Sequence, residues 1–168
     1  MTTTPETLPF QMERTLHAPL ARVWAAWTEP ALFAQWWGPK GVPLGLADFD
    51  MRTGGRVLYT MTHANGAVWW GRWAIDLVEP QARILWRNAF STPEGGLSRA
   101  PFLDSFPLEI HNEVIFTALP DGGTHLLLRG QPRDPSAAEL ETYLGMFAGM
   151  RMGFGGTLDQ LEATLAAG

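Results

Sequence analysis

The twelve residues VWWGRWAIDLVE, 68 to 79, constrain this chain more than any other stretch. Trp69, Gly71, Trp73, Ile75 and Leu77 alternate with Trp70, Arg72 and Asp76. That is the period-two pattern of a strand with one apolar and one polar face. Such a strand cannot stand alone, because its apolar face must be covered by another layer. Pro80 ends the run, and Asn65-Gly66 before it are the residues of a tight hairpin turn. Gly71 interrupts the apolar face without a side chain, which marks a bend or a close approach.

The flanking sequence repeats the pattern. FQMERTLHA alternates from Phe10 to Leu16, LADFDMR breaks at Thr53-Gly54-Gly55, and RVLYTMTH and RILWRNAF follow as further strands. LEIHNEVIFTAL and THLLLRG read as a hairpin across Pro120-Asp121-Gly122-Gly123. A Gly/Ser/Pro-rich loop is expected over 91–107. After the first strand, Pro19 suits a first helical turn, and Leu20, Val23, Trp24 and Trp27 fall on one helical face. Thr28 is expected to cap a second short helix that ends at Gly38-Pro39.

Near the C-terminus, Ser136-Ala137-Ala138-Glu139 reads as a capping box opening a long helix. Leu140, Leu144, Phe147, Arg151, Phe154, Leu158, Leu161 and Leu165 make its expected stripe, with Arg151 the one polar member. The glycines at 153, 155 and 156 leave open whether this helix is continuous.

These elements predict an α+β fold: a curved antiparallel sheet of six to seven strands wrapped around a long C-terminal helix, with two short helices after the first strand. Residues 1–9 are expected to be flexible and 10–168 to form one domain. A chain of 168 residues buries roughly 70% of its unfolded surface.

Charge and residue types exclude several function classes. A net charge of −5 without a basic run speaks against nucleic-acid binding. The absence of cysteine removes disulfides, thiol nucleophiles and Cys-based zinc sites. His17, His63, His111 and His125 lie on separate segments without metal-ligand spacing, so no metal and no cofactor are expected. The opening MTTTPETLPF has neither the basic nor the apolar part of a signal peptide. No apolar run reaches the ~20 residues of a membrane span. A soluble, cytoplasmic protein is the expectation.

The stretch HAPLARVWAAWTEPALFAQWWGPKG resembles the opening of the family named after the activator of the heat-shock-protein-90 ATPase, within the START-like, helix-grip superfamily. FDMRTGGRVLYTM, GRWAIDLVEPQARILW, LPDGGTHLLLR and GGTLDQLEATL are similar to its later motifs, in order. The resemblance covers about residues 10 to 166. It implies the helix-grip fold and a cavity for a hydrophobic or amphipathic small molecule, with no assigned reaction.

The candidate lining is Trp36, Trp69, Trp73, Phe147, Met150 and Phe154, with Tyr59 from a neighbouring strand and Arg151 as an anchor for a carboxylate or phosphate. Each has a plainer reading, in which the indoles fill the core and Arg151 reaches the helix edge or pairs with Glu109 or Glu113. A second reading is an enzyme using acid–base chemistry on an aromatic or polyketide-like substrate. It requires an inward polar pair, such as His111 or Tyr59 near Glu113 or Arg151. Leu108, Ile110, Val114 and Phe116 occupy the opposite strand face, which favours His111 pointing outward. A third reading, a stress-related protein contacting a chaperone, would show an exposed apolar patch at Trp70 and 101–106. A homodimer is compatible with all three.

Overall fold

The computed structural model describes residues 8–167. Most of the expected flexible segment 1–9 therefore lies outside the described residues. Strand β1 (Phe10–Leu16) is followed by helices α1 (Leu20–Thr28) and α2 (Pro30–Trp36). Strands β2 (Leu44–Phe49), β3 (Arg56–Thr62), β4 (Val68–Glu79) and β5 (Arg83–Ser91) come next. A two-residue strand β6 (Leu97–Ser98) precedes β7 (Ile110–Ala118) and β8 (Thr124–Pro132). Helices α3 (Ala137–Gly145) and α4 (Phe147–Ala167) close the chain.

All strand pairs are antiparallel, in the order β1-β8-β7-β5-β4-β3-β2, and β6 adds to β5. Seven strands form the main path, and the short eighth lies inside the stretch expected to be a plain loop. α4 crosses the concave face of this sheet and gives the predicted helix-grip arrangement. Leu158 and Leu161 join the β-strand core beside Ile84, Val114 and Leu126.

The alternation in β4 holds from Trp69 to Ile75 and then shifts. A bulge at Asp76 advances the phase, so Val78, rather than the expected Leu77, packs against the core. Gly71 pairs with Tyr59, and a Cβ at Gly71 would lie 2.4 Å from the Tyr59 ring. The glycine leaves room for that ring.

Four tryptophans meet in the core. Trp27 lies 4.7 Å from Trp36, 6.1 Å from Trp86 and 6.3 Å from Trp73 by ring centroids, joining both short helices to the sheet. The Trp36 indole donates to the Ala26 carbonyl at 2.8 Å. Thr28 does not cap α2, whose N-cap is Glu29. Its hydroxyl donates back to the Trp24 carbonyl at 2.8 Å, closing α1 instead.

The outer face of β7 carries the expected charges, each paired. Glu109 receives Arg133 at 3.1 Å and Arg87 at 3.4 Å, while Glu113 lies 3.4 Å from Arg83 and 3.7 Å from Arg129.

The C-terminal helix is split, but not at Gly153, Gly155 or Gly156. α3 ends at Gly145, Met146 links it to α4, and α4 runs unbroken through 153–156. Tertiary bonds offset the low helix propensity of these glycines. Thr157 donates to the Gly38 carbonyl at 2.8 Å and Gln160 to the same carbonyl at 3.0 Å. Arg14 reaches Asp159, Glu162 and the Gly155 carbonyl.

The capping box opens α3 as expected. The Ser136 hydroxyl accepts from the Glu139 N–H at 3.1 Å, and the Ser136 N–H donates to the Glu139 carboxylate at 3.0 Å. That amide and the Arg99 guanidinium, 2.8 Å away, lower the Glu139 pKa from its ordinary 4.5 to about 2. A carboxyl depressed in the folded state stabilises above its unfolded pKa and loses that contribution as pH falls through the folded one. Thermal melts of Glu139→Gln should therefore decline less steeply than wild type between pH 4.5 and 2. Identical slopes would remove Glu139 from the acid response.

Candidate functional site

Between α4 and the concave sheet lie two adjoining hollows. The outer one, about 370 Å³, is walled by Trp37 and Pro39 after α2, Tyr59 and Met61 of β3, Phe90 of β5, and Met146 before α4. The inner one, about 110 Å³, is closed by Phe10, Met12, Trp86, Ile110, Leu128 and Tyr143. Asn88, Phe106, Met150 and Phe154 border both, so the two hollows adjoin at these side chains. Phe102, half-exposed at 48%, stands at the outer rim, its ring 5.6 Å from Phe106 and 5.7 Å from Phe90. The 91–107 segment thus covers the sheet beside the opening.

The expected lining residues divide. Tyr59, Met150 and Phe154 face the hollows. Trp36 and Trp73, 1% and 0% exposed, are core residues and border neither. Trp73 is stacked on Trp86 at 4.2 Å and touches Trp37 edge-on at 4.7 Å. It is Trp37, one residue after Trp36, whose indole reaches the outer hollow. Trp69 lies away from the walls, against His63, Phe90 and Phe102. Phe147 is buried in a small cluster with Phe10, Ile110 and Tyr143 beside the inner hollow.

Arg151 is not the anchor inside the cavity. It is exposed, donates to the Gln11 carbonyl at 2.8 Å, and lies 5.1 Å over the Phe10 ring. The expected stripe was one position out of phase there. The helix face turned to the sheet carries Tyr143, Phe147, Met150, Phe154, Thr157 and Leu161, and Arg151 falls beside it. Tyr143 and Met150 share the three-and-four spacing of Phe147, Phe154 and Leu161, which was the available signal.

The polar groups in the hollow were not singled out from the sequence. Asn112 shares the inward face of β7 with Ile110 and Val114, and Asn88 shares a face of β5 with Trp86 and Phe90. The Asn112 amide donates to the Ile110 carbonyl at 3.1 Å and to the Asn88 side-chain oxygen at 2.5 Å. A backbone carbonyl can only accept, so the first bond fixes the Asn112 amide, and that in turn orients Asn88.

The Tyr143 hydroxyl is buried and has no hydrogen-bond partner among the described residues. Burial pushes its pKa up, and it does the same to Tyr59. Both are therefore neutral phenols at physiological pH. Glu113 and Arg129 also border the inner hollow, with their charged ends paired to each other.

Among the described residues no group of three or more His, Asp or Glu is placed to hold a metal ion. No helix among them is long and apolar enough to cross a membrane.

Sequence and structure comparisons place these features in a wider set. A family profile described as Activator of Hsp90 ATPase homolog 1-like protein matches residues 17–166. Protein Ms6760 from Mycobacterium smegmatis is 30% identical with a TM-score of 0.72, over 92% of this chain and 88% of that one. A Staphylococcus epidermidis protein is 25% identical with a TM-score of 0.74, over 99% and 94% of the two chains. An Arthrobacter aurescens protein, 24% identical with a TM-score of 0.79 over 99% and 91%, shares the fold. No curated protein matches the sequence.

Proposed function

The chain belongs to the Activator of Hsp90 ATPase homolog 1-like family, and from that premise we propose that it binds a hydrophobic or amphipathic small molecule in the depression under α4. The observation that carries this reading is the pair of largely apolar hollows that meet at Asn88, Phe106, Met150 and Phe154. Pockets of this size, walled by aromatic side chains with a few polar groups, are the usual form of small-molecule sites. Met61, Met146 and Met150 add an adaptable wall, since an unbranched thioether repacks at little cost. Burying apolar ligand surface there contributes about 25 cal/mol per Å² before the cost of association is subtracted.

Gly153 allows a sharp test. It borders the outer hollow, and a Cβ built on it meets nothing within 4 Å. Gly153→Leu should therefore fit, raise the melting temperature through better helix propensity, and fill space a ligand needs. Titration with the neutral fluorophore N-phenyl-1-naphthylamine should give saturable binding to the wild type. The variant should bind roughly tenfold more weakly, about 1.4 kcal/mol. Absent saturable binding, or a variant that binds as well as wild type, would overturn the reading.

Acid–base catalysis has less support. The inward pair it requires is not assembled, because His111 lines neither hollow, Glu113 is held by Arg83 and Arg129, and Arg151 lies at the helix edge. A chaperone contact, suggested by the family's description, draws on exposed Phe102 and Leu103, at 48% and 41%. Phe102 also rims the hollow, where the tail of an amphipathic ligand would cover it.

A further inference from the structure

Resting on the reading that the hollow takes an apolar ligand, we infer that its inner end recognises an uncharged, amide-like head carrying one acceptor and one N–H or O–H donor. Three side chains converge there. The Asn112 amino group is occupied by the Ile110 carbonyl and Asn88, which leaves its side-chain oxygen as an acceptor that no described residue uses. The Asn88 oxygen is taken by Asn112, which leaves the Asn88 amino group as a donor without an acceptor among the described residues. The Tyr143 hydroxyl, 1% exposed by residue, is unpartnered and both donates and accepts.

Gly130 brings two of these groups together. A Cβ placed on it would lie 3.0 Å from the Asn112 oxygen and 3.0 Å from the Tyr143 hydroxyl. The bare glycine keeps that corner open between them. A buried polar group without a partner destabilises a folded chain. The Tyr143 hydroxyl is such a group, and with the half-buried Asn112 oxygen and Asn88 N–H beside it the inner hollow is complementary to a ligand that supplies their partners. A carboxamide does so with one C=O and one N–H, and a lactam or a neutral hydroxy-carbonyl edge has the same pattern.

The charge of the head follows from the surroundings. The ionic groups bordering the inner hollow are Glu113 and Arg129, which are paired to each other at 3.7 Å, and Glu113 is also held by Arg83. Arg151 is engaged at the helix edge by Gln11 and Phe10. A carboxylate entering the inner hollow would lose its hydration and have to compete with the Glu113 carboxylate for Arg129, which is unfavourable.

The test uses three probes that share one tail and one ring: hexylbenzene, 4-hexylbenzamide and 4-hexylbenzoate, titrated calorimetrically at pH 7. The benzamide should bind the wild type at least about tenfold more tightly than either of the others. In Tyr143→Phe and Asn112→Leu that preference, read as the ratio of benzamide to hexylbenzene affinity within each variant, should shrink. Tyr143→Phe keeps the shape of the ring, and its ligand-free melting temperature should equal or exceed that of wild type. A hydroxyl with a purely structural role would lower it.

Equal affinities for hexylbenzamide and hexylbenzene would overturn the recognition of a polar head while leaving the apolar site intact. Tightest binding of the benzoate would overturn its neutrality. Failure of all three, hexylbenzene included, would overturn both the head recognition and the binding reading beneath it.

Discussion

Trp27→Ala is expected to cost about 3 to 5 kcal/mol of folding stability, the range for deleting a fully buried large aromatic side chain. The Trp27 side chain is 0% exposed and sits where α1, α2 and three strands meet. Its ring contacts Trp36 of α2, Trp73 of β4, Trp86 of β5 and Phe116 of β7. These neighbours are themselves large and locked by one another, so they cannot close over the space left behind. Most single domains hold only about 5 to 15 kcal/mol, and the loss would consume much of it. Urea denaturation followed by circular dichroism measures the effect. Trp24, only partly buried and touching Phe116 at 5.1 Å, should lose far less on the same substitution. Similar losses at both positions would show that the four-indole cluster is not the structural hub.

Gly71→Ala is expected to destabilise by about 1 to 3 kcal/mol, the cost of forcing an extra methyl into a filled site. The new Cβ would lie 2.4 Å from a ring carbon of Tyr59, and Tyr59 is 4% exposed. The ring has to move, and it is also a wall of the outer hollow. The same substitution should therefore weaken N-phenyl-1-naphthylamine, coupling a stability defect to a binding defect. Combining it with Tyr59→Leu should recover part of the loss, because the two residues are in contact and their effects cannot be additive. Strict additivity in that double-mutant cycle would show that the Tyr59 ring is not what requires the glycine.

The strands and the start of α3 were legible because they depend on local chemistry. Alternation in 68–79, the Asn65-Gly66 turn and the Ser136/Glu139 box each state a backbone preference within a few residues. Phase was less legible. The bulge at Asp76 shifts an apolar pattern without a glycine or proline at its own position, and the break at Met146 keeps the pattern in phase and so leaves no periodic sign of itself. Gly153, Gly155 and Gly156, the obvious candidates for a break, remain helical because Thr157, Gln160 and Arg14 tie that turn to the rest of the chain.

The same division governs the site. Phe154 lay on the expected helical stripe, and the structure places it at the hollows together with Tyr59 and Met150, which that stripe did not contain. Trp36 and Trp37 could not be told apart, because adjacent residues at a helix end point in different directions fixed only by what each meets. Arg151 was drawn into the expected stripe because positions 150 and 151 both lie three or four residues from Phe147 and Phe154, and spacing alone does not choose between them.

What the sequence alone determined was the class of fold: an antiparallel sheet with one apolar face, and a capped helix obliged to cover it. Family membership followed from ordered motifs along the same chain. What only the tertiary structure decided was which side chains share the space between helix and sheet. Asn88 on β5, Asn112 on β7, Gly130 on β8 and Tyr143 on α3 are far apart in the chain, and no periodicity connects them. Their meeting depends on strand order, sheet curvature and the angle at Met146. Those are set by the packing of the whole domain, and a local residue preference carries no information about them.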